Sequence, residues 1–147
     1  MKIERIETKA PALRKMPNGG VWEYAELWSC RVVLKGEGVL VFRIAPGYWT
    51  DLASVPKALR GAFDNGSGDF GVLIASQLHD MLYATHYLSK DFADKLFRHV
   101  LRFYKMSAFK AWLYYEAVHI CGSSAWEATE TEIAGDSALC ALDWADK

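Results

Sequence analysis

His79, Asp80, Tyr83 and Asp94, with Asp51 upstream, are the residues whose types could do chemistry together in this chain. They lie in the tract Thr50-Asp51-Leu52-Ala53-Ser54-Val55-Pro56, in His79-Asp80-Met81-Leu82-Tyr83, and at Asp94 one expected helix later. An imidazole and three carboxylates set among apolar residues need compensation, because an unpaired buried charge is costly. Two kinds are open. Asp51, His79, Asp80 and Asp94 could supply nitrogen and oxygen ligands to zinc or another divalent metal, with an open position for an activated water. His79, Asp80 and Tyr83 would then be the catalytic groups, and a carboxylate off the metal the general base. Alternatively the side chains satisfy one another in an internal hydrogen-bonded network. Only one histidine belongs to the cluster and no His-x-x-x-His spacing reinforces it. That weighs towards the network.

Local sequence says how these residues are positioned. On a helix starting at about Phe70, positions 72, 76, 79 and 83 fall within about 60° of one another. His79 and Tyr83 therefore share a stripe with Val72 and Ser76, and Asp80 sits about 100° round. Asp94 heads the apolar stripe of the next helix, one turn before Phe97 and two before Leu101. An antiparallel helix pair would bring it towards His79 or Asp80. Asp51 comes from the loop after the sheet, a common place for functional side chains; its bland role is an Asx-turn or a helix cap. His86, His99 and His119 read as surface or core residues with no special role.

The first half of the chain reads as strand. Residues 21–28 are aromatic-rich, and Arg31–Leu34 and Val39–Ile44 flank the short Gly-containing connection 35–38, a hairpin signal. Pro17-Asn18-Gly19-Gly20 is a turn, and Pro46-Gly47 opens an irregular segment. The second half reads as helix. Ser54 and Pro56 start a short helix to about Ala62, residues 64–68 form a loop, and a helix follows from Phe70 to Tyr83. Ser89 caps another to about Tyr104, and Ser107 a third to Cys121, with Gly122 in the C-terminal glycine position. The expected fold is α+β: a small antiparallel β-sheet followed by a bundle of three main α-helices. Residues 1–126 form one domain in this reading, and residues 127–147 an acidic, partly ordered appendage.

With 147 residues, 52% of them apolar and 14% aromatic, the chain has the composition of one globular domain. A net charge of −1 gives no sign of nucleic-acid binding. The charge is uneven: residues 1–60 carry ten Lys/Arg against six Asp/Glu, whereas residues 123–147 carry one Lys against six acids. The acidic end is expected to be a solvated tail rather than docked on the basic start or on a neighbouring subunit. Cys30, Cys121 and Cys140 have no Cys-x-x-Cys spacing and read as mostly buried thiols of a reducing compartment. The start reads as no secretory signal, and the apolar run 111–121 is too short for a membrane span and holds Glu116.

One resemblance covers about Val39 to Trp126. The runs Gly47-Tyr48-Trp49-Thr50-Asp51-Leu52-Ala53-Ser54-Val55-Pro56, Leu78-His79-Asp80-Met81-Leu82-Tyr83 and Ala93-Asp94-Lys95-Leu96-Phe97, then Gly122 with Trp126, resemble a small phage and prophage family known as domain of unknown function 1353. The resemblance implies a phage-encoded protein found among tail or lysis genes, with no established activity. Its polar signature maps onto Asp51, Ser54, His79, Asp80, Tyr83 and Asp94. A weaker similarity links His79-Asp80-x-x-Tyr83 to secreted phospholipases A2. The calcium loop and disulfides of those enzymes are missing, so that activity is not expected.

The functional expectation is a virion (tail or baseplate) accessory protein, made in the host cytoplasm and then carried in the particle. Its partners would be other phage structural proteins or further copies of itself, without nucleic acid or a membrane span. The alternative is a metal-dependent hydrolase acting on cell wall during phage entry or lysis.

Overall fold

The described residues fold into two antiparallel sheets and three helices. The structure, a computed structural model, describes residues 1–17, 21–50, 70–129 and 138–145. Its strands are β1 (Ile3–Thr8), β2 (Leu13–Lys15), β3 (Trp22–Tyr24), β4 (Trp28–Leu34), β5 (Gly38–Ile44), β6 (Trp49–Thr50) and β7 (Cys140–Ala145). The helices are α1 (Phe70–Thr85), α2 (Lys90–Phe103) and α3 (Ala108–Thr129). The main sheet has the order β1-β4-β5-β7 and the smaller one β2-β3-β6. The α+β class and the antiparallel sheet follow the sequence expectation.

The expected hairpin is the centre of the main sheet, with β4 and β5 in register from Trp28↔Ile44 to Leu34↔Gly38. Alternation does the rest. Trp28, Cys30, Val32 and Leu34 of β4 join Leu40, Phe42 and Ile44 of β5 in one core with Ile74, Leu78, Met81 and Leu82 of α1. Gly38 has a φ of 116°, and a Cβ there would lie 2.6 Å from the Ala145 carbonyl oxygen, so this strand start takes no side chain while β7 lies alongside.

Ser89 and Ser107 do cap helices: their Oγ atoms accept from Phe92 N at 3.2 Å and Lys110 N at 3.3 Å. Three expectations change. Residues 21–28 are not one strand, because Trp22–Tyr24 pairs with β2 and β6 whereas Trp28 begins β4 in the other sheet. The last helix does not end at Gly122 but runs 22 residues to Thr129. Within the acidic segment, residues 140–145 are not a solvated tail. They add β7 to the edge of β5, where Asp143 pairs with Arg43, and Tyr87 donates to the Cys140 carbonyl at 2.9 Å. The expected helix over 54–62, the loop over 64–68, and Asp51 and Ser54 with them lie outside the described residues.

All three cysteines are free thiols, and their surroundings differ. Burial pushes the Cys30 thiol up to about 12 against a weaker opposing hydrogen bond from Thr8. Cys140 is also buried, whereas Cys121 is exposed. In native protein an aromatic disulfide reagent should therefore titrate one thiol quickly, at Cys121, and all three after denaturation. Rapid labelling of Cys30 in the folded protein would contradict this packing.

Candidate functional site

Asp94 is the hub of the polar cluster, and its side chain is fully buried. Each element brings two donors or neighbours by simple helical spacing. His79 and Tyr83 lie four residues apart on α1, Lys90 and Asp94 four apart on α2, and His119 and Gly122 three apart on α3. The short connection over 86–89 folds α1 against α2, and α3 packs on both. His79 Nε2 and the Tyr83 hydroxyl each donate to Asp94 Oδ1 at 2.8 Å. Lys90 Nζ and His119 Nδ1 each lie 2.8 Å from Oδ2. Lys90 also donates to the His119 carbonyl at 3.0 Å, tying α2 to α3.

Electrostatics follows from this geometry. Burial by itself would raise the pKa of Asp94, but hydrogen bonds from His79, Lys90, His119 and Tyr83 together outweigh it and hold the carboxyl well below the usual range. An ionised carboxylate only accepts, so His79 carries its proton on Nε2 and His119 on Nδ1. Lys90 supplies the balancing charge. Burial, then the bond to Asp94, raises the Tyr83 phenol above its ordinary value and keeps it protonated.

The aromatic neighbours close the cluster. The His79 ring lies against Tyr83, centroids 4.1 Å apart, and against Phe97 at 5.3 Å. Trp126 meets Tyr83 edge-on and stacks flat on His86 at 3.7 Å. Gly122 faces Tyr83 so closely that a Cβ there would stand 2.4 Å from the phenol oxygen. This explains why a glycine interrupts α3 without ending it.

The structure thus gathers His79, Tyr83 and Asp94 of the expected site. Asp80 lies on another side of α1, where its Oδ2 accepts from Thr50 Oγ1 at 2.9 Å. Near it, Tyr24 donates to Gln77 Oε1, while Gln77 Nε2 is buried without an acceptor among the described residues. Asp51, the remaining member of the expected ligand set, lies outside the described residues. Among the described residues no three His, Cys, Asp or Glu side chains are grouped as a metal ion requires. Lys90 and His119 are the members that sequence reasoning missed. Lys90 was readable, four residues before Asp94 on a helix. His119 was not, since its place depends on how α3 crosses the other two.

Residues 28–118 match the model of a family described as "Protein of unknown function (DUF1353)". No curated protein and no solved structure gives a match. Among the described residues no helix is long and apolar enough to cross a membrane.

Proposed function

The chain belongs to the DUF1353 family of proteins of unknown function, and from that premise we propose that it is a non-catalytic phage virion component, a tail or baseplate accessory protein. The observation that carries this reading is the saturation of Asp94. Two donors on each oxygen leave a carboxylate with no lone pair spare for a metal or a proton in transit. A cluster of this kind fixes three helices in one arrangement, as an assembly module requires. The phage origin rests on the tracts around Asp51, His79 and Asp94 that carry the family resemblance. In this reading the protein is made in the host cytoplasm, and its partners are other phage structural proteins.

One contact favours a second reading. Thr50, the covalent neighbour of Asp51, is held on Asp80. A divalent ion, zinc among them, held by Asp51 and Asp80 would suit a metal-dependent cell-wall hydrolase. Mass spectrometry of purified particles and elemental analysis of the purified protein separate the two. The virion reading expects the chain in particles at fixed stoichiometry and no bound metal. Absence from particles, together with a stoichiometric metal that Asp80→Asn removes, would replace it with the hydrolase.

A further inference from the structure

Apart from the buried cluster, α3 carries a second pattern on its outward face. Phe109, Leu113, Glu116, Ile120, Ser123 and Glu127 follow one another at spacings of four, three, four, three and four residues. These positions share one face of the helix, with Phe109, Leu113 and Ile120 its apolar members and Glu116, Ser123 and Glu127 its polar ones. It runs on the side of α3 away from Ala111, Tyr114, Val118 and Gly122, which pack inward. Phe109 and Ile120 are 69% and 70% exposed, and Trp112 and Leu113 beside them are 41% and 45% exposed. Four large apolar side chains this open on one helix face, edged by polar residues, mark an association surface.

The order of residues along the stripe names its occupant. Phe109, Trp112 and Leu113 stand in the first half, and the exposed Ser123, Ser124 and Ala128 in the second, beside Ile120 and Glu127. About a two-fold axis near residue 118, an antiparallel second helix sets 109 against 127, 113 against 123 and 116 against 120. Trp112 and Leu113 then pack over Ser123 and Ser124 of the second copy, large against small, as interdigitated helices require. Lys110, on the flank one residue after Phe109, comes within reach of Glu127 of the other copy at both ends, and Glu116 within reach of its His119. The helix dipoles run antiparallel as well. A parallel pair would set bulk on bulk and Lys110 on Lys110.

We propose that this chain forms a two-fold homodimer through the outward face of α3, with the helices antiparallel and Lys110 paired with Glu127 of the second copy. The interface is isologous and therefore closed. It rests on the face alone and not on the virion reading, which particle composition tests separately.

Sedimentation of the purified full chain from about 1 to 100 µM reads it directly. The mass should move reversibly from one chain to two. Ile120→Glu should weaken the dimer at least about tenfold, with far-ultraviolet dichroism unchanged because the residue is exposed. Lys110→Glu should weaken it less, and adding Glu127→Lys should restore it. A mass of one chain at every concentration overturns the dimer, as does a dimer indifferent to Ile120→Glu. Failure of the charge swap to restore association overturns the antiparallel register.

Discussion

Asp94→Ala should destabilise the folded protein by about 3–5 kcal/mol, the largest effect expected of any single substitution in the cluster. The carboxylate is fully buried, and its removal takes the acceptor from four hydrogen bonds at once. Lys90 is the worst placed of the donors, a largely covered ammonium left without its anion. The side chains of three helices meet on this one group, so the loss should appear in global unfolding and not as local fraying. Denaturant unfolding of wild type and variant measures it through the shift in midpoint at constant slope. A loss below about 1 kcal/mol would mean that the cluster does not hold the helices together.

The same carboxylate sets a pH dependence with a definite sign. Its folded pKa is depressed relative to the ordinary value of about 3.9, so its stabilisation is fully present above that value. As pH falls below about 4 the unfolded chain takes up the proton more readily than the folded one, and the advantage is lost. The stability gap between wild type and Asp94→Asn should therefore be widest above about pH 4 and shrink below it. A gap that widened on acidification would reverse the direction of the Asp94 shift.

Local signals carried the helices and the central hairpin, because caps and periodicity act within a few residues. Ser89 and Ser107 marked helix starts, and the flanking β-branched runs marked the β4–β5 hairpin. The three motif residues His79, Tyr83 and Asp94 were legible together, since four-residue spacing and an antiparallel turn nearly force their meeting. Non-local choices were not legible. The β1 segment, Ile-Glu-Arg-Ile-Glu-Thr, lacks strict alternation and is recognisable as a strand only beside β4. Cys140–Ala145 has no local preference that selects the open edge of β5, about a hundred residues earlier. His119 and Lys90 show the same divide within the site. One was four residues from its partner and readable, the other depended on the path of a third helix.

Gly122 gives the sharpest case, because local and non-local physics predict opposite signs for Gly122→Ala. As an ordinary glycine in a helix interior it should give way to alanine with a gain of about 0.5–1 kcal/mol. Here the new methyl would meet the Tyr83 hydroxyl at 2.4 Å and its ring carbons at 3.1 Å. Tyr83 cannot simply swing aside. Its hydroxyl is bonded to Asp94, and Trp126 stands edge-on against its ring. Overpacking costs about 1–3 kcal/mol, and a lost hydrogen bond to a charged group a further ~1.5–3 kcal/mol. The non-local terms win, and the net loss should be about 2–4 kcal/mol. Tyr83→Phe removes the oxygen nearest the methyl, so the double variant should lose less than the two single losses added together, by about 1 kcal/mol or more. Equilibrium unfolding of the four proteins in that cycle measures the coupling. A stabilised Gly122→Ala, or strictly additive losses, would show that α3 does not bear on Tyr83 at this point.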